Sequence, residues 1–237
     1  MAPPEIADIA ANLERLRERV TRAAERAGRR ADEIALVAVS KTFPVEAIRA
    51  AFDAGLRHFG ENRVQEMQAK RARLADLGVS WHFIGHLQSN KARLATQLFD
   101  RIDSLDSVSL AQRLDSAAGE LGKRLAVLVE VHVGGEATKS GASEADLPAL
   151  GESIATLPHL DLHGLMMVPP YSDDPERVRP YFRKLLELRD SLSERLGRRL
   201  PTLSMGMSHD FEVAIEEGAT EIRPGAALFG ARAQNAD

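Results

Sequence analysis

The sequence predicts an α/β fold, a (β/α)8 TIM barrel with an extra N-terminal helix. Three observations predict it. Short apolar runs alternate with helical patterns eight times, which argues for a parallel sheet with helices between its strands. The length of 237 residues suits one such barrel, since α/β barrels run to ~250 residues as a single unit. No Pro/Gly/Ser-rich linker divides the chain, so residues 1–237 are expected to form a single domain.

The elements follow in order. Ile6, Ile9, Leu13, Leu16 and Val20 repeat at helical spacing, with Pro3 and Pro4 suited to a helix start and Gly28 to its end. Ile34–Val39 is a continuous apolar run, too short for a typical helix and right for a buried parallel strand. Pro44 opens a helix that ends near Gly55. Further strands are expected at 57–60, 81–85, 99–104, 125–133, 160–168, 202–205 and 221–223. Helices are expected at 63–77, from Ser89, at 107–121, 143–156, 175–196 and 208–217, and near Leu228. On the fifth strand Val127, Val129, Val131 and Val133 share the face that suits contact with helices. Glu130 and His132 therefore point into the barrel. They mark either a ligand-binding end or a hydrogen-bonded structural pair.

Composition removes several classes of function. Lys plus Arg is 31 and Asp plus Glu is 35, a net charge of −4. No strong positive field is present for nucleic acid or an anionic membrane. No apolar run reaches the ~18–20 residues of a membrane span, and the first residues lack a signal peptide's apolar segment. A cytoplasmic protein is expected. There is no cysteine, which removes disulfides, thiolate nucleophiles and cysteine-ligated metals; no metal is expected. Only six of the 31 basic residues are lysine, at 41, 70, 91, 123, 139 and 184. Lysine, unlike arginine, can serve as an amine nucleophile.

Barrel active sites lie at the C-terminal ends of the strands. Lys41 directly follows the first strand, where partial desolvation disfavours its ammonium form; a rim salt bridge is the alternative. Gly206-Met207-Ser208 leads from the seventh strand toward a helix, offering backbone N–H groups and a positive dipole end. Ser208 also suits an ordinary N-cap. Gly225-Ala226 allows close backbone approach after the eighth strand, and Arg223 stands on the same rim. An amine facing a phosphate cradle across a barrel mouth is what pyridoxal 5′-phosphate requires. Lys91 is a candidate rim cation, and Lys139 either a phosphate contact or a solvated loop lysine.

Five ordered motifs carry a family resemblance: AVSKTFP at 38–44, FGENRVQE at 59–66, WHFIGHLQSNK at 81–91, KSG at 139–141 and SMGMSHDFEVAIEEGATEIRPGAALFGAR at 204–232. The sequence resembles the pyridoxal phosphate homeostasis protein family, related to the N-terminal barrel of alanine racemase. The resemblance implies that Lys41 carries pyridoxal 5′-phosphate as a Schiff base. It implies Arg223 at the pyridine nitrogen, Ser208, Gly225 and Ala226 at the phosphate, with Met207 beside them, and Asn62 and His82 near the ring. The chain departs from the usual pattern at His86, His132 and Pro224, and at Ala226, where a phosphate-facing Thr hydroxyl is usual.

Two functions compete at this point. One is a carrier that holds the cofactor reversibly, buffers vitamin B6 and delivers it to apo-enzymes. The other is an amino-acid racemase. A permanent cation at the pyridine nitrogen weakens the ring as an electron sink, and a two-base racemase needs a second base. In alanine racemase that base resembles a tyrosine from an extra domain of the partner subunit. The sequence given stops just after the eighth unit, so no such domain is expected, a monomer is expected, and Tyr171 and Tyr181 are the tyrosines available. The carrier is the favoured reading.

Overall fold

The computed structural model describes residues 8–134 and 140–230. Among these, eight parallel strands close on themselves: β1 (Ala35–Val39), β2 (His58–Glu61), β3 (Ser80–Phe83), β4 (Arg101–Leu105), β5 (Leu125–His132), then β7 (Leu160–Met166), β8 (Thr202–Met207) and β9 (Glu221–Arg223). A two-residue strand, β6 (Ala142–Ser143), pairs with the end of β5 outside the ring. Each ring strand pairs with its neighbour in order, β4 joins β5, and β1 joins β9 through Ala35–Glu221 and Leu36–Ile222. Cover on both faces explains why β1 reads as a short, unbroken apolar run.

The helices are α1 (Ile9–Arg26), α2 (Val45–Asp53), α3 (Val64–Arg71), α4 (Ala92–Leu98), α5 (Val108–Glu120), α6 (Leu147–Ala155), α7 (Arg179–Leu196), α8 (Phe211–Glu216) and α9 (Ala226–Phe229). The apolar stripe read from the sequence is the buried face of α1, from Ile9 to Ala24. Asp8 caps it by accepting from the Ala11 N–H at 3.0 Å, and Gly28, at φ +65°, turns the chain away. Pro3 and Pro4 lie outside the described residues. The helix packs on α2, α8 and α9, and Arg19 and Arg26 reach Glu212 and Glu216, each at 2.7 Å.

Several boundaries differ from expectation. The stretch 143–156 does not begin as a helix, because Pro148 is tolerated only in a first turn and so fixes the start at Leu147. Pro180 fixes the start of α7 in the same way, leaving a 3-10 turn at Pro175–Val178. The helix expected from Ser208 starts at Phe211, three residues later. None of the described helices is long and apolar enough to cross a membrane.

The apolar core lies between the strands and the helices, where Val127, Val129, Val131 and Val133 join it. The barrel interior is polar instead. Arg101 Nη2 donates to both Glu221 carboxylate oxygens at 2.6 and 2.7 Å, and its Nε donates to Asp103 at 2.6 Å. Burial works against each charge, but the pairing outweighs it. The Asp103 carboxyl is held well below the usual carboxylate range and the Arg101 guanidinium above its ordinary value.

Candidate functional site

The mouth at the C-terminal ends of β1, β8 and β9 gathers most of the residues named from the sequence. The Val39 N–H donates to the Pro224 carbonyl at 2.9 Å. That bond sets the turn after β1 beside the turn after β9, so Lys41 and Gly225 share one rim. Lys41 is half-buried in a tight turn.

This turn is held from three sides. Ser40 below it is buried and donates its hydroxyl to Glu61 Oε1 at 2.7 Å. Thr42 sits at φ +69°, the one described non-glycine residue in the left-handed region. Its N–H donates to Glu66 Oε1 at 2.6 Å. Phe43 stacks on Phe229 of α9 with ring centroids 4.8 Å apart. A β-branched residue in that conformation costs ~1–3 kcal/mol and persists only where its surroundings hold it. Lys70 joins the two carboxylates, donating to Glu61 at 2.9 Å, Glu66 at 2.6 Å and the Ser40 carbonyl at 3.1 Å. Burial pushes the Glu61 carboxyl up, with Lys70 opposing it.

Arg223 is buried at the end of β9, donating to Ser204 Oγ at 2.7 Å and to the Met167 carbonyl at 2.6 Å. Burial pushes its guanidinium down while Glu221, Asp103, Glu130 and Asp210 counter the shift. It remains a cation, as arginine does in proteins.

Ser208 is not the helix N-cap; Asp210 occupies that position. The Ser208 hydroxyl accepts instead from the N–H groups of Gly225 and Ala227, both at 3.0 Å, so its own proton is left to donate outward. Met207 corrects the expectation of exposed N–H groups here, because its N–H donates to Asp210 Oδ1 at 2.6 Å. Gly206 must be glycine: its φ is +93°, and an added Cβ would lie 2.7 Å from Ala214 Cβ. Gly225 is different. A Cβ there would meet nothing closer than Val39 at 3.5 Å, so the surrounding chain does not require a glycine. The lip keeps open a space that a side chain would fill.

Asn62 follows β2, half-buried, with Gly85 pressed against it so closely that a Cβ on Gly85 would lie 2.4 Å from the Asn62 carbonyl. His82 does not join the mouth. Its Nε2 lies 3.1 Å from His58 Nδ1 and 3.2 Å from Ser80 Oγ, both on residues that open their strands, and its Nδ1 faces Asp103 at 3.5 Å. An inward-facing residue on a short strand turns its ring toward either end of the barrel, and here interior partners draw it downward. Glu130 is buried and accepts from Ser140 at 3.2 Å, whereas His132 Nε2 is buried with no partner among the described residues. Lys139 lies outside the described residues. The sequence reading missed Lys70, Asp103, Arg101 and Glu221. Only the i, i+4 spacing of Glu66 and Lys70 could have signalled any of them. His82, Asp103 and Glu221 place ligating atoms within 4.8 Å of one another, but Arg101 already neutralises both carboxylates.

The donor set fits a phosphorylated aldehyde. It offers one half-buried primary amine, one buried permanent cation, and a lip with an outward hydroxyl and an open glycine.

Comparisons with known proteins agree. Residues 11–233 match the alanine racemase N-terminal domain family. The pyridoxal phosphate homeostasis protein of Aquifex aeolicus is 50% identical over 220 residues, 93% of this chain and 96% of the relative. Its counterpart in Escherichia coli K12 is 44% identical over 229 residues, covering 95% and 97%. PipY of Synechococcus elongatus PCC7942, solved with PLP bound, superposes with a TM-score of 0.84 at 42% identity, covering 94% of this chain and all of that one. An alanine racemase from Clostridium difficile 630 shares the fold alone, with a TM-score of 0.71 at 16% identity over 96% of this chain and 58% of its own. By motif, fold and near-full-length identity, the chain belongs to the pyridoxal phosphate homeostasis protein family, built on the alanine racemase N-terminal barrel.

Proposed function

We propose that the chain is a cytoplasmic carrier that binds pyridoxal 5′-phosphate in the barrel mouth and serves vitamin B6 homeostasis, buffering the cofactor or delivering it to apo-enzymes. The observation that carries this reading is the shared rim. One backbone bond, Val39 to Pro224, brings the Lys41 turn against the Ser208–Gly225 lip. When bound, the cofactor supplies an aldehyde that condenses reversibly with a primary amine. Lys41 provides that amine, and the turn held by Glu61, Glu66 and Lys70 fixes where it points. Ser208, Gly225 and Ala226 receive the phosphate, with Met207 supporting the lip through Asp210. Asn62 lines the side of the mouth. All these groups come from one chain, so a monomer suffices.

Arg223 favours holding over turnover. A permanent cation opposes a proton on any basic nitrogen beside it, and so limits how far a bound pyridine ring can draw electrons. Nor is Tyr171 poised as a second base. It is 83% exposed, and its hydroxyl donates to Asp173 at 2.9 Å. That bond pushes its phenol up and keeps it protonated.

The test is borohydride reduction of the protein with pyridoxal 5′-phosphate, followed by peptide mapping. Label is expected on Lys41 in the wild type, with the Lys41→Ala variant losing it. Label elsewhere overturns the attachment. Sustained α-proton exchange of L-alanine in deuterated water at enzymatic rates overturns the carrier reading.

A further inference from the structure

Beside the mouth lies a second concavity, a pocket of about 400 Å³ between the loops after β2 and β3. Its polar lining is Asn62, Arg63, Gln65, His86, Gln88 and Lys91, with no carboxylate among the lining residues. Its floor includes Phe83, which alternates with the inward His82 and so faces away from the barrel axis. The pocket is therefore outside the ring. It meets the rim at Asn62 and Gly85.

Three features bear on what it could hold. Arg63 and Lys91 have no ion pair and no side-chain hydrogen bond among the described residues; Arg17 and Arg22 share that state but line a pocket with three glutamates, whereas Arg63 and Lys91 line one with none. Arg63 is also the N-cap of the eight-residue α3 and supplies no side-chain cap. The N–H groups of that first turn, including those of the lining residues Val64 and Gln65, thus lack a side-chain acceptor. Finally, His86 lies on the same wall, its Nδ1 3.5 Å from Asp106, the acid nearest its ring.

We propose that this pocket is a second anion site, which holds a phosphate monoester beside the barrel mouth. A guanidinium fork and an ammonium match a phosphate dianion with several acceptor oxygens. The N-terminus of α3 adds backbone donors, and its first-turn carboxylate, Glu66, is already held by Lys70 and the Thr42 N–H. A monocarboxylate would leave much of this donor set unused. The volume lies within the range of small-ligand pockets, ~300–1,000 Å³, so an organic body fits with the phosphate. The shared wall at Asn62 and Gly85 places such a ligand next to the cofactor's way in and out. The site does not depend on Lys41.

The test is a titration of the ¹⁵N-labelled full-length chain with inorganic phosphate at constant ionic strength, read by amide chemical shifts. Saturable shifts are expected at residues 62–65 and 85–91, separate from any at 206–208 and 225–227, which report the cofactor lip. The Arg63→Ala and Lys91→Ala variants should each weaken the first set at least tenfold while leaving the second set unchanged. Acetate at equal ionic strength should produce no saturable shift at 62–65. Absence of saturation at 62–65 and 85–91 in the wild type overturns the site, as does an unchanged response in both variants. An acetate response equal to that of phosphate overturns the phosphate class. Loss of the 206–208 and 225–227 response alone would count against the cofactor lip and not against this pocket.

Discussion

At the scale of single residues, the lip carries a sharp contrast between Gly206 and Gly225. The first is glycine because the backbone turns left-handed and α8 crowds it. The second has room around it, and its neighbour Ala226 is exposed at the first position of α9. A threonine at 226 would add one hydroxyl donor beside Ser208. A hydrogen bond to a charged acceptor contributes about 1.5–3 kcal/mol. Ala226→Thr is therefore expected to lower the Kd for pyridoxal 5′-phosphate roughly ten- to hundredfold, measured by equilibrium dialysis. An unchanged Kd would sink that account. The placement of Lys41, Ser208, Arg223 and Gly225 at the mouth was legible in the sequence because each lies within two residues of a strand's C-terminal end, where barrel chemistry collects. His82 was legible as an inward residue but not as an interior one. Strand alternation gives the face of a side chain, not the end toward which it leans.

At the scale of elements, α3 does more than cover β2. It carries both Glu66 and Lys70 back to the turn after β1, and Lys70 spans two carboxylates, one of them on a fully buried side chain. Removing one partner of a buried pair costs about 3–5 kcal/mol, because the other charge is left without compensation. Lys70→Met is expected to lose about that much in urea unfolding. Adding Glu61→Gln should then cost little more, or restore part of the loss. Equal and additive losses would show that the two groups do not act together. The local pattern gives only the i, i+4 spacing of Glu66 and Lys70, not the reach of either back to the turn after β1. Contacts between residues 30 apart in sequence depend on β1 pairing with β2. Helix starts were misread for a local reason: Pro148, Pro180 and Asp210 each set a first turn later than apolar periodicity alone indicates.

At the scale of the whole molecule, the interior of the barrel is a charged lattice tying β3, β4, β8 and β9 together. Asp103 is held by Arg101, and Arg101 by Glu221; Ser204 links Glu221 to Arg223. The folded state keeps Asp103 ionised well below its ordinary value of 3.8. A carboxylate depressed in this way stabilises fully above the unfolded value, and loses that contribution as pH falls toward the folded one. Asp103→Asn is expected to cost about 3–5 kcal/mol at neutral pH, with the gap to wild type narrowing below about pH 4. Chemical unfolding at a series of pH values measures it, and a gap that stays constant down to pH 3 would overturn the assignment. The ring itself was readable from eight alternations and a length. Its polar filling was not, because Arg101 and Glu221, on expected strands 120 residues apart in sequence, meet only once the strands are curled into a ring.

The packing of α1 on α8 and α9 has a kinetic consequence. Its Arg19 and Arg26 find their carboxylates 193 and 190 residues downstream, and Asn12 reaches the Leu228 carbonyl across 216. A chain emerging from the ribosome exposes this helical segment long before any of those partners exists. The strand that follows it likewise waits for β9 as its second neighbour. Loop-closure entropy is spent before those contacts repay it. Closing the seam is thus a late event in synthesis, and the two ends of the described chain act as a clasp rather than as a beginning and an end.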